Sequence, residues 1–302
     1  MAGHTAERVT LARLPSGVAV ATTVHTYRGD REGPTLYVQA AQHGREVNGA
    51  EVLRRFHDAV DPGSLAGRVI AVPVADPLTF DRVSYTTPEQ LDAARSNMNR
   101  VWPGDADAAV DLHTGAPDML PHVVFREGDD RSRALAEAFG TDLLLSEPAG
   151  EDAPEEWAER SFDGKFRVAA GEAGVPAITP ELAHNKQLVE PAIELGLDGL
   201  LNVLRELEML PGDPDPRGER TLARNHLGRV PAADSGLFRP APDVAVGDRV
   251  QAGDSLGTLY DPTTYEPLQS AAADRDGILY SITREATVTA GQSLANVADL
   301  RD

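Results

Sequence analysis

Residues 35–60 read TLYVQAAQHGREVNGAEVLRRFHDAV. The first eight, TLYVQAAQ, form an apolar run of strand length that closes on His43-Gly44. From Asn48 the period changes to that of a helix, with Val52, Leu53, Phe56 and Val60 on one face. A buried strand, a histidine at its carboxyl end and a helix directly after it make one αβ layer unit. Outward from this unit the pattern repeats. Residues 69–74 (VIAVPV), 108–112 (AAVDL), 122–125, 142–145 and 176–179 are short apolar strands, and residues 131–139 and 191–210 have helical period. The alternation predicts an α/β layer fold with a largely parallel sheet. In such sheets ligands bind at the carboxyl ends of the strands. Two of these strands run into a histidine, His43 and His113.

The breaker-rich stretch 211–219 (PGDPDPRGE) is a boundary. Beyond it, segments of a few residues (236–239, 249–250, 255–260, 277–282 and 286–288) are punctuated by Gly, Asp and Pro, which predicts a small all-β module. Its Val246-Gly247-Asp248 and Ala252-Gly253-Asp254 punctuation resembles that of lipoyl- and biotin-carrier barrels. Those need an attachment lysine, and Lys165 and Lys186 are the only lysines among 28 basic residues. None lies in the module, so a carrier role is excluded.

The chain has 302 residues, a formal charge of −20 and a hydrophobic fraction of 41%, enough for a full core. Its acidity argues against nucleic acid or an anionic membrane as partner. It has no cysteine, which excludes disulfides, thiolate catalysis and Cys-ligated metal sites. Any metal must be held by His, Asp or Glu. No apolar stretch reaches the ~18 residues of a membrane span, and residues 1–20 lack the apolar core of a secretory signal, so the expected compartment is the cytoplasm.

Four short elements carry chemistry. His43-Gly44-Arg45-Glu46 places a His and a Glu three residues apart, both good zinc ligands. The spacing alone is not specific: His4 and Glu7 share it, and a capping His followed by a Glu at a helix N-terminus would look the same. Asp111-Leu112-His113-Thr114-Gly115 ends a strand on a second His, which could complete a His-Glu-His set with an open position, with Asp111 behind it. Asn97-Met98-Asn99-Arg100, followed by Val101-Trp102-Pro103-Gly104, offers a guanidinium fork and an amide suited to a carboxylate. Thr179-Pro180-Glu181-Leu182 puts a carboxylate at the end of an apolar strand, an address suited to acid–base work beside a metal.

Together and in this order, the His-x-x-Glu after a strand, the Asn-Arg-x-x-Pro-Gly element, the Asp-Leu-His-x-Gly element and the Thr-x-Glu-Leu strand end resemble the zinc carboxypeptidase superfamily. Within it the succinylglutamate desuccinylase/aspartoacylase family is the best match, and it also carries a small β-rich C-terminal module. The resemblance runs from about Thr35 to the end of the chain. It implies an α/β, three-layer fold with a mixed sheet of zinc carboxypeptidase type, a catalytic domain over 1–215, and a small all-β C-terminal domain over 220–302 that caps or flanks the active site. It implies one zinc ion per chain on His43, Glu46 and His113, and Glu181 as general base. Asn99 and Arg100 become a substrate-carboxylate clamp. Arg82, with Arg95 as the alternative, becomes the arginine that polarises the scissile carbonyl, and Arg167 resembles an arginine lining the acyl pocket. Where the family often has a Gly pair after Glu-Leu, this chain has Ala183-His184, which bears on the substrate pocket. Some members take a tyrosine from the C-terminal module, and Tyr260, Tyr265 and Tyr280 are available.

The implied activity is zinc-dependent hydrolysis of the amide bond of a small, carboxylate-bearing N-acyl amino acid or related amide. A carboxypeptidase or peptide amidase on the same scaffold is the alternative, and a non-catalytic zinc-binding protein the second. Homo-oligomerisation is left open.

Overall fold

The computed structural model describes residues 1–82, 106–115, 118–148, 165–182, 185–216, 218, 220–225, 229–284 and 286–301. The chain divides into two compact units. One comprises Met1–Gly115, Pro121–Asp142 and Pro148–Arg220, and the other Ala116–Leu120, Leu143–Glu147 and Thr221–Asp302. No helix among the described residues is long and apolar enough to cross a membrane.

The first unit contains strands β1 (Gly3–Arg13), β2 (Ala19–Arg28), β3 (Arg31–Ala40), β4 (Ala66–Val72), β5 (Ala108–Leu112), β6 (His122–Arg126) and β8 (Ala177–Glu181). Its helices are α1 (Asn48–Ala59), α2 (Pro77–Arg82), α3 (Asp130–Phe139), α4 (Phe166–Glu172) and α5 (Glu190–Glu206). The strand order is β1-β2-β4-β3-β5-β8-β6. The expectation of a largely parallel sheet is corrected here. Among the described strands of this unit the β4-β3-β5-β8 centre is parallel, while the β1–β2 hairpin, the β2–β4 pair and the β8–β6 pair are antiparallel. The hairpin escaped the sequence reading because β1 is an edge strand with mostly exposed residues, so it lacks the apolar alternation of a half-buried strand.

The sheet centre has two faces because successive residues of a strand alternate sides. Ala40, Leu112 and Leu182 lie on one face, against α1 and α5. Gly49 of α1 sits so close to Ala40 and Leu112, and Gly196 of α5 so close to Val52 and Leu182, that a Cβ would meet them at 2.6–3.0 Å. On the other face Ala109 and Ala177 pack under Phe166 and Ala170 of α4. Further along the same strands, toward their carboxyl ends, that face turns polar: Gln39, Asp111, His113, Thr179, Glu181 and His122 follow one another across the register.

The hairpin face toward α1 carries a ring cluster. His4 Nε2 and His25 Nδ1 share a hydrogen bond of 3.0 Å, and Tyr27 OH and His57 Nδ1 one of 3.1 Å. The His4 and His57 ring centroids are 4.6 Å apart, and Tyr27 meets Phe56 edge-on. Burial, with His57 adding, lowers the pKa of His4, and burial with His4 and His57 lowers that of His25. The folded state therefore holds these rings neutral, and the unfolded chain takes up protons first as pH falls below the ordinary value of 6.5. Stability is thus expected to be intact above pH 6.5 and to decline below it. Thermal melts at pH 7.5 and 5.5 measure this. His25→Phe should flatten the difference, and an equal difference in that variant would contradict the account.

The second unit pairs β7 (Leu143–Glu147) with β9 (Thr221–Arg224) and continues through β17 (Ser293–Leu300), β15 (Gly277–Ile282) and β12 (Arg249–Val250), with β10 (Arg229–Pro231) on β17. A second sheet has the order β14 (Pro267–Ala272), β13 (Ser255–Tyr260), β11 (Gly236–Pro240) and β16 (Thr287–Val288). Phe238, Leu256, Leu259, Leu279, Ile282 and Leu294 fill its core. Among the described residues the regular elements from Thr221 onward are all strands, as the turn punctuation predicts. The long strand β17, sequence SLANVADL, was missed because Ala, Asn and Asp are weak strand formers.

Candidate active site

Strand β3 ends at Ala40, and Ala41 turns the chain with a left-handed φ of 50°. The Glu46 N–H donates to His43 O (3.0 Å), closing a turn that brings the two side chains to one point. Gly44 is required in that turn, since a Cβ there would lie 1.9 Å from the carbonyl oxygen of Thr79. Thr79 in turn donates from Oγ1 to Gln42 O (3.1 Å), so α2 is packed against the His43 loop. Gly44→Ala is expected to cost about 1–3 kcal/mol, as overpacking does. A melting temperature equal to that of the unaltered protein would contradict this.

On the neighbouring strand, His113 extends β5 by one bridge to β8. Its N–H donates to Pro180 O, and its carbonyl accepts from the Leu182 N–H, each at 2.9 Å. This register sets His113 beside Glu181, and His122 of β6 lies opposite Glu181 on the other side. Residues directly opposite in a sheet share a face, with Cβ atoms about 4.5–5.5 Å apart.

The buried Glu46 carboxylate lies between two imidazoles. Its Oε1 accepts from His43 Nδ1 (2.8 Å), and its Oε2 faces His113 Nδ1 (3.1 Å) and accepts from the Thr114 N–H (3.3 Å). Behind His113, Nε2 donates to Asp111 Oδ2 at 2.9 Å. His43, Glu46 and His113 each offer one ligand atom, all within 4.8 Å of one another, so the three could hold a metal ion. Two further observations fit an ion there. The donor set is imidazole and carboxylate, which suits zinc and similar divalent ions. Thr114 Oγ1 and both amide atoms of Gln42, each next in sequence to a ligand histidine, are buried without a hydrogen-bond partner among the described residues, an arrangement rare unless the site has polar occupants.

The electrostatics follow from burial and neighbours. Burial alone would raise the Glu46 pKa, but His113 and His43 hold it at about 2. Burial works against the charged form of His113, yet Asp111 and Glu46 raise its pKa well above 6.5. Both carboxylates can only accept, so both ring nitrogens of His113 carry protons at neutral pH. Burial pushes Glu181 up to about 7; His113 and Lys165 pull it down, while Glu46 and Asp111 push it further up. Arg167 on α4 is buried and is lowered by that burial to about 10, against the charges of Asp111 and Glu181, so it remains a cation at neutral pH.

The structure thus brings together His43, Glu46, His113, Asp111, Glu181 and Arg167. Arg82 stands at the end of α2 with an exposed side chain. Arg95, Asn99, Arg100 and His184 lie outside the described residues. Of the three tyrosines of the C-terminal module, Tyr265 is exposed, while Tyr280 is buried and donates to Asn225 Oδ1 at 3.5 Å within that unit. Sequence reasoning missed Gln39, Tyr37 and His122, which share the site's face. A polar residue inside an apolar strand was the available signal for Gln39.

Residues 32–109 match the model described as succinylglutamate desuccinylase/aspartoacylase catalytic domain. The matched segment includes His43, Glu46, Asn99 and Arg100, and ends before Asp111, His113 and Glu181. Among individual proteins, the chain is 28% identical to the N-alpha-acetyl-L-2,4-diaminobutyric acid deacetylase of Halomonas elongata, over 89% of this chain and 83% of that one. Its fold is that of a succinylglutamate desuccinylase/aspartoacylase from Rhodobacter sphaeroides (TM-score 0.81, 23% identity, 99% of this chain and 96% of that chain). The product-bound ectoine utilization protein of Ruegeria pomeroyi shares it too (TM-score 0.81, 22% identity, 98% and 95%).

Proposed function

We propose that this protein is a zinc-dependent hydrolase that cleaves the amide bond of a small N-acyl amino acid or related amide. The observation that carries the reading is the convergence of His43, Glu46 and His113 on one point, with Glu181 on the adjacent strand beside His113. A zinc ion held by the three side chains supplies a Lewis acid and a water that ionises near neutral pH.

The chain's own groups do the rest. Glu181 takes the proton of the attacking water and returns it to the leaving amine. A carboxyl whose pKa is raised toward 7 by burial is suited to both transfers. Arg82, or Arg95 in its place, polarises the scissile carbonyl, and a donor of this kind is typically worth about 2.7–4 kcal/mol. Asn99 and Arg100 hold a substrate carboxylate and so fix the bond to be cleaved. Arg167, buried and charged on the same face, lines the acyl side. These cations allow an anionic substrate on a chain of net charge −20, because a cleft reverses the field locally.

Residues 1–215 form the hydrolase domain in this reading, and 220–302 a β-rich C-terminal domain. The test is a panel of N-acyl amino acids offered to the zinc-loaded protein. N-acetyl-L-2,4-diaminobutyrate stands first, as the compound named for the Halomonas elongata relative. N-succinylglutamate and N-acetylaspartate follow. Hydrolysis of none of them, with zinc bound at one per chain, overturns the assignment.

A further inference from the structure

The hydrogen bonds behind His113 do not stop at Asp111. Asp111 Oδ2 accepts from His113 Nε2, and Asp111 Oδ1 accepts from the side-chain amide of Gln39 at 3.0 Å. The carbonyl end of that amide, Oε1, accepts from Tyr37 OH at 3.1 Å. Gln39 and Asp111 face each other across the β3–β5 register, and both are buried. The direction of the chain is forced. A carboxylate only accepts, so the NH2 of Gln39 must face Asp111, its oxygen must face Tyr37, and the tyrosine must donate. Burial, with the charge of Asp111 adding, raises the Tyr37 pKa well above its usual value, so the donor persists across the working pH range. The Tyr37 ring stacks on Phe166 at 5.8 Å, and the next residue of that helix is Arg167.

We propose that Gln39, braced by Tyr37, is a positioning residue for the metal site: it holds the Asp111 carboxylate so that His113 keeps its Nε2 proton and turns Nδ1 toward the ion. The inference rests on the hydrolase reading only in naming zinc as that ion. Gln39 is buried, and a buried amide is favourable only when its hydrogen bonds are made. Here both ends of the amide are bonded, and one of them lands on the carboxylate that orients a ligand. Groups behind a metal ligand set its tautomer and ring orientation, and losing one typically costs about 10–100-fold in affinity.

The experiment uses the full chain and measures zinc affinity by competition with a chromophoric chelator. Gln39→Leu is expected to weaken zinc binding at least about tenfold, and Tyr37→Phe to weaken it less. Gln39→Glu sets a second carboxylate against Asp111 and should weaken it as well. Adding Asp111→Asn to Gln39→Glu should then restore most of the loss. In that double variant the amide introduced at position 111 can donate to the carboxylate introduced at position 39 and still accept from His113 Nε2, so direction and net charge both return. A role in packing alone predicts no such recovery. Zinc affinity unchanged in Gln39→Leu, or a double variant no better than Gln39→Glu, overturns the proposal.

Nitrogen-15 NMR of the metal-free protein gives a readout that needs no zinc. The His113 Nε2–H proton should exchange with solvent faster in Gln39→Leu and recover in the double variant. A protein that binds no zinc but shows this NMR pattern sinks the hydrolase reading and keeps the positioning role. An unchanged Nε2–H signal in Gln39→Leu sinks the positioning role by itself.

Discussion

Replacing Glu181 by glutamine is expected to lower turnover at least about 100-fold while zinc content stays at its wild-type value, as loss of an acid–base group does. Glutamine keeps the shape and the strand position but neither accepts nor delivers a proton. Glu181 stands at the end of β8, bridged to His113 on one side and paired with His122 on the other, so its backbone is held from both sides and the substitution should leave the fold intact. It is not among the three groups that converge as ligands, which is why zinc should remain. Its raised pKa comes first from burial, and a positive ion at the neighbouring site would pull it down. The acid limb of the pH–rate profile should therefore lie below pH 7 and disappear in Glu181→Gln along with the activity. Turnover within a few-fold of wild type in that variant would remove Glu181 from the mechanism.

Glu46→Gln is expected to have an equally large effect by another route. The Glu46 carboxylate faces both histidines, through Oε1 to His43 and Oε2 to His113, and its charge helps to raise the His113 pKa. Glutamine removes the charge and presents an NH2 to one of the two rings. Losing a ligand should exceed the about 10–100-fold typical of groups behind the ligands, so zinc affinity should fall at least about 100-fold, and hydrolysis should be lost at ordinary zinc concentrations. The two variants are separated by metal content: Glu181→Gln is inactive with zinc bound, Glu46→Gln inactive without it. A linked measurement is available in the wild type. His113 is protonated on both nitrogens in the metal-free protein, so zinc uptake must displace the Nδ1 proton. Calorimetric titration in buffers of different ionisation heat should report about one proton released per zinc from this group. An affinity in Glu46→Gln equal to wild type would exclude it as a ligand.

Much of this was legible from residue order. Strand β5 covers Ala108–Leu112, the same residues as the apolar run AAVDL, and α1 begins at Asn48, where the helical period begins. His43, Glu46, His113 and Glu181 stand out because each ends a strand or follows one closely, and local patterns of that kind depend on near neighbours along the chain. The β1–β2 hairpin and β17 were not legible: the first is too exposed and the second too poor in β-branched residues to show a period.

The division between the two levels follows from distance along the chain. Residue types and spacings within a few positions carry the family resemblance, supply the candidate ligands, exclude thiolate chemistry and place the polar ends of the strands. Contacts across the register lie beyond that reach. Gln39 and Asp111 are 72 positions apart, and only the parallel pairing of β3 with β5 puts an amide on the carboxylate behind His113. The same holds for His122 opposite Glu181 and for Glu46 between two histidines from different strand ends. A one-residue slip in any of these pairings would turn the polar row to the opposite face, against α1 and α5. The burial that sets the pKa values of Glu46, His113 and Glu181 likewise comes into being when the sheet and its helices pack together.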